Sequence, residues 1–128
     1  MILDTSAVIA ILFKEPGFES VFQKLADAET IGIGAPTLAE TGIVLRARLG
    51  RDPGFMLEGF LREFMIVTVP FGEDHWRETV EAYGKYGRGQ HPAALNFGDC
   101  MTYAVARLAG QPLLFVGADF SNTDIEAA

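Results

Sequence analysis

The chain has 128 residues, 49% of them hydrophobic, one cysteine and a formal net charge of −7. That length and apolar content suit one compact α/β domain able to bury a core. The negative charge disfavours a broad electrostatic grip on nucleic acid, which draws on Lys and Arg, but not a nuclease whose acids hold a cation.

A lone Cys100 rules out an intrachain disulfide and fits a reducing, cytoplasmic setting. The N-terminal apolar run is interrupted by Asp4 and ended by Lys14-Glu15-Pro16. It is too short for a membrane span and carries no basic leader, so neither a membrane helix nor a signal peptide is expected.

Residues 1–4 read as a short buried strand, and Ser6 is placed to cap a helix running to about Phe13. Glu15-Pro16-Gly17 breaks it. Phe18, Val21, Phe22 and Leu25 fall at helical spacing, which predicts a second helix over 17–28. A short strand follows at 30–35. Pro36 suits a helix start and Gly50 its end. Asp52-Pro53 opens another helix, with Phe55 or Met56 joining Leu57, Phe60, Leu61 and Phe64 on its apolar face. Residues 65–69 read as a strand stopped by Pro70, and 73–87 as a helix carrying Trp76, Val80 and Tyr83. The glycine-rich stretch 83–99 is the one long irregular segment, and such loops are often functional. Asn96 caps a helix over 97–109, ended by Gly110 and Pro112. Residues 113–116 form the last strand, followed by the loop GADFSNTD. Strands separated by helices favour an α/β/α sandwich around a central, mostly parallel sheet with right-handed crossovers.

In an open parallel sheet, ligands bind beyond the carboxyl ends of the strands. Asp4 ends the first strand, Asp119 follows the last, and Glu40 and Asp99 lie early in helices that leave the same edge. Taken singly, Glu40 and Asp99 suit a helix dipole and Asp119 a turn. Asp4 stands among apolar neighbours, where a carboxylate without partners is costly or protonated. Four acids at one edge repel each other, and a divalent cation removes the conflict. Carboxylates without a His or Cys ligand set point to a hard ion, Mg²⁺ or Mn²⁺. Asp4 and Asp99 would bind it directly, while Glu40 and Asp119 would hold its waters or complete a second site. Thr5 and Ser6 are placed to hydrogen-bond the ligating carboxylates.

ILDTSA at the start, TLAET around Glu40, LNFGDC around Asp99 and LLFVGADFSNTDI near the end, in this order and spacing, resemble PIN-domain ribonucleases of the VapC toxin type. The resemblance spans the whole chain, 1–128, as a single PIN domain. It implies a metal-dependent endoribonuclease leaving a 5′-phosphate and a 3′-hydroxyl, neutralised by a VapB-type antitoxin and forming dimers. Carried over position by position, the acidic set is Asp4, Glu40, Asp99 and Asp119, with Asp124 either an accessory acid or a cap.

Basic residues near this edge are few. Lys85, Arg88 and His91, interleaved with Tyr83 and Tyr86, suit phosphate contacts and stacking on an unpaired base of RNA. A solvated loop is the plainer reading. Arg46 and Arg48 are candidates for the groove rim. Aromatic positions at Phe13, Phe18, Phe22, Phe55 and Phe60 exceed what a small core needs, which leaves some for an antitoxin groove or a dimer surface. Two alternatives stay open: another Mg²⁺-dependent phosphoesterase, and a domain that binds RNA or a partner without cutting.

Overall fold

The apolar start of the chain lies in the middle of the sheet. In the computed structural model, which describes residues 1–128, β1 (Ile2–Leu3) is flanked by β2 (Gly32–Gly34) and β4 (Leu113–Leu114), and β3 (Val67–Val69) lies outside β2. The order is β3-β2-β1-β4 and every pairing is parallel. Ile2 stands opposite Gly32 and Leu113, and Leu3 opposite Ile33 and Leu114.

Alternation along such short strands sends neighbouring side chains to opposite faces. Leu3, Ile33 and Leu114 join one core with Val8, Val21, Leu25 and Phe60, from α1 (Thr5–Leu12), α2 (Phe18–Asp27) and α4 (Gly54–Glu63). Ile2 and Leu113 join the other with Ala82, Cys100, Tyr103 and Val105, from α5 (Glu73–Tyr86) and α6 (Phe97–Ala109). The result is the α/β/α sandwich that the strand–helix order implies. A further helix, α3 (Ala35–Leu49), bonds to α6 through the Thr37 and Thr102 hydroxyls, 2.8 Å apart. α6 lies so close to β2 that a Cβ on Gly34 would come within 2.8 Å of Val105 Cγ2. Only glycine permits that approach.

Several expectations shift. The strands are shorter than the apolar runs; β1 and β2 give way almost at once to α1 and α3, and β4 pairs only through Leu113 and Leu114. The first helix starts at Thr5 and its cap is Asp4, not Ser6, because the Asp4 carboxylate accepts the Ser6 N–H. On α4 Met56 is half-buried and Phe55 is 92% exposed, while Phe60 is buried. On α5 the buried positions are Thr79 and Ala82, and Trp76, Val80 and Tyr83 face out. The loop 83–99 is tighter than its composition suggests. α5 takes its first residues, and a bridge between Gly87 and Leu95 closes the rest. No helix is long and apolar enough to cross a membrane.

Candidate active site

Because all four strands run the same way, their carboxyl ends share one edge. Asp4, Glu40, Asp99 and Asp119 line one open cavity there, of about 320 Å³. A larger cavity, about 510 Å³, lies around Met1, Thr30 and Gln111. It opens at the amino ends of the strands, where parallel sheets do not usually place ligands.

Each acid is held by its own local chemistry. Asp4 is only 7% exposed. Its Oδ2 accepts from the Ser6 N–H at 3.0 Å and the Ser6 O–H at 2.5 Å. Ser6 Oγ in turn accepts from Val116 N–H at 3.0 Å, which ties the end of β4 to the start of α1. Burial raises the Asp4 pKa; the Ser6 bonds oppose this and the charge of Glu40 adds to it.

Glu40 projects from α3 and accepts from the Thr5 O–H at 2.6 Å. The N-terminus of α6 presses against it: a Cβ on Gly98 would lie 2.5 Å from Glu40 Oε2. Asp99 forms a reciprocal cap with Asn96, its N–H donating to Asn96 Oδ1 at 2.8 Å and its Oδ2 accepting the Asn96 N–H at 3.1 Å. Burial pushes the Asp99 carboxyl up to about 6; the Asn96 N–H opposes this and the charges of Asp4, Asp119 and Glu40 reinforce it. Asp119 opens a short 3₁₀ turn, Asp119–Asn122, just beyond β4.

As they stand, no three acidic side chains close around a single ion position. The donor set still fits a hard divalent cation. It consists of carboxylate oxygens whose mutual repulsion is already written into Asp4 and Asp99, and Mg²⁺ takes only one or two carboxylates directly, keeping waters elsewhere.

The other predicted positions fall in different places. Thr5 hydrogen-bonds Glu40 and Ser6 hydrogen-bonds Asp4. Asp124 is not in the cavity; it accepts from the Tyr103 O–H at 2.6 Å and from Arg107 Nη1 at 3.3 Å. The Tyr103 bond holds its carboxyl below the usual range. Lys85, Arg88 and His91 also lie outside the cavity wall. Lys85 Nζ sits 5.7 Å from the Tyr86 ring centre, the Arg88 carbonyl accepts from the Tyr83 O–H at 3.3 Å, and His91 Nδ1 accepts from the Ala93 N–H at 3.1 Å.

Sequence reading passed over Glu15 and the role of Gly98. Glu15 reads only as part of a helix break, yet it lines the cavity beside Arg48. Its Cα position depends on a left-handed Lys14 (φ 49°) and a bond from its own N–H to the Ala10 carbonyl at 2.9 Å, which no spacing rule reveals.

The strand order, the crossovers and the carboxylate-lined edge define a PIN domain, and the PIN-domain family model matches residues 1–126. The chain is 47% identical over 127 residues to ribonuclease VapC36 of Mycobacterium tuberculosis, covering 98% of this chain and 91% of that protein. It overlays the crystal structure of Mycobacterium tuberculosis VapC20, described as a sarcin-ricin loop cleaving toxin, with a TM-score of 0.79 at 18% identity, covering 99% and 97% of the two chains. The crystal structure of VapBC2 from Rickettsia felis, bound to a promoter DNA fragment, matches with a TM-score of 0.71 at 16% identity, covering 98% and 94%. The chain belongs to the VapC family of PIN-domain ribonucleases.

Proposed function

We propose that this VapC ribonuclease is a divalent-metal-dependent endoribonuclease toxin restrained by a VapB-type antitoxin. One observation carries the reading: four acids far apart in sequence line one cavity at the carboxyl edge of the sheet. Asp4 and Asp99 would hold Mg²⁺ or Mn²⁺ directly, with Glu40 and Asp119 beside them. A cation there supplies Lewis-acid stabilisation of charge on phosphoryl oxygens and lowers the pKa of water.

The remaining work falls to the chain's own groups. Two hydrogen bonds from Ser6 fix the Asp4 carboxylate, so it needs little reorganisation to receive charge. Thr5 holds one oxygen of Glu40 and the other lies against Gly98, so the carboxylate is fixed at the cavity wall, where it would orient a water and take its proton. Asp119 is exposed and offers a second acceptor. A phosphodiester laid across the cavity would then meet an oriented water on one side and expel its 3′-oxygen on the other.

The VapBC2 likeness supports an antitoxin of the VapB type as a partner. A second copy of the chain completes the proposed assembly, and Phe55 on α4 and Ile43 on α3, both exposed, leave apolar surface for protein contacts. Purified protein incubated with total cellular RNA, with and without Mg²⁺ or Mn²⁺, should cut only with metal, leaving mapped ends that carry a 5′-phosphate. Cutting that persists in a folded Asp4→Asn variant would refute the proposal.

A further inference from the structure

Arg48 is the one basic side chain that lines the acid-walled cavity. It lies two turns beyond Glu40 on α3, and the spacing of Glu40, Val44 and Arg48 sets all three along one stripe of the helix leading out of the cavity. Its guanidinium carbon sits 5.0 Å from the centre of the Phe13 ring. Its Nη1 lies 3.5 Å from Glu15 Oε2, and the two side chains are 46% and 40% exposed.

An exposed pair at that distance holds only weakly, because solvent screens it. It leaves most guanidinium donors free. The aromatic ring beneath restricts the swing of the side chain, so the cation stays at the rim. A polyanion approaching four carboxylates meets repulsion, and a fixed cation on the wall offsets it. The planar fork of arginine matches a phosphate with two parallel hydrogen bonds.

We infer that Arg48 grips an RNA phosphate flanking the scissile bond, and that Glu15 parks the guanidinium and competes with that phosphate. The assignment deepens the ribonuclease reading of this cavity and rests on it. Arg48 exchanges a weak internal partner for a substrate one, so the substrate gains the contact at little cost.

The test uses a short labelled RNA spanning a cut site mapped from total cellular RNA. Arg48→Ala should raise KM by about tenfold, the loss of one charged hydrogen-bonded contact, with kcat little changed. Arg48→Lys should recover part of the loss. Glu15→Gln should act in the opposite sense and lower KM by about two- to fivefold, because the competitor is removed. In an Asp4→Asn background, where binding is read without cutting, Arg48→Ala should reduce the salt slope of RNA affinity by about 0.7. If both variants raise KM together and melt earlier, the pair is a strut between the turn after α1 and α3 and the assignment falls. An unchanged KM for Arg48→Ala overturns it as well, while cleavage itself stands. A parent protein that cuts no RNA overturns the ribonuclease reading and this assignment together.

Discussion

Gly98→Ala offers a sharp probe of the site, because it changes one atom group and aims it at one carboxylate. A Cβ at this position lies 2.5 Å from Glu40 Oε2, where ordinary contact begins near 3.4 Å, so the carboxylate must move by 3.4 − 2.5 = 0.9 Å. The far end of a flexible side chain can do this by rotation, at the expense of the 2.6 Å bond from Thr5. Gly98 lies in the first turn of α6, where alanine gains up to about 1 kcal/mol in helix propensity. Losing the Thr5 bond offsets a similar amount, since an exposed carboxylate recovers hydration. Stability should therefore stay within about 1 kcal/mol of the parent, a melting shift of no more than about 4 °C. Cleavage should fall much further, because a displacement near 1 Å at a reacting group costs about 100-fold. Thermal melting and kcat/KM on the mapped RNA measure the two sides independently. A variant that melts like the parent and also cuts like it would show that the position of Glu40 is not used in the chemistry, and the role given to this acid would be withdrawn.

Mg²⁺ or Mn²⁺ should raise the melting temperature, by the equivalent of about 2.7 kcal/mol at 100 times the dissociation constant. Asp4→Asn should abolish that shift while leaving the metal-free protein folded; a shift that survives the substitution would remove Asp4 from the ion site. For metal-free protein the pH dependence has a fixed sign. The folded pKa of Asp99 is raised to about 6, so the folded state takes up a proton before the unfolded state does, and stability is lost as pH rises through 6. Melts in chelator should climb as pH drops from 7 toward 5, and Asp99→Asn should flatten the climb; an unchanged slope would mean that burial does not raise the Asp99 carboxyl. Tyr103→Phe removes the donor to Asp124 and should cost about 1 kcal/mol while leaving RNA cleavage intact. Loss of cleavage without loss of stability would return Asp124 to the site.

Strand–helix order was legible from the chain because its signals are local. Gly50 and Gly110 end helices where expected, Asn96 caps α6, and the apolar spacing of Val21 and Leu25 marks the buried side of α2. The acids could be nominated for a related reason: a parallel sheet puts every strand end on one edge, so Asp4 and Asp119 are neighbours by topology. Asp124 shows the limit. It lies only five residues beyond Asp119 in sequence, yet the 3₁₀ turn carries it away to Tyr103 and Arg107. Phe55 and Met56 show another: adjacent apolar residues leave the phase of a helix undecided until a partner packs on it.

The order of elements along the chain was enough to give the class of the fold, its ordered motifs were enough to point to the family, and residue types at the strand ends were enough to nominate the four acids. Which hydroxyl holds which carboxylate, that Gly98 makes room for Glu40, and that Glu15 and Arg48 meet at the rim emerge only once the helices pack. Those contacts join α1, α3 and α6, and their distances depend on how helices settle on a sheet. That is a matter of side-chain volume summed across the core, which no single stretch of the chain encodes.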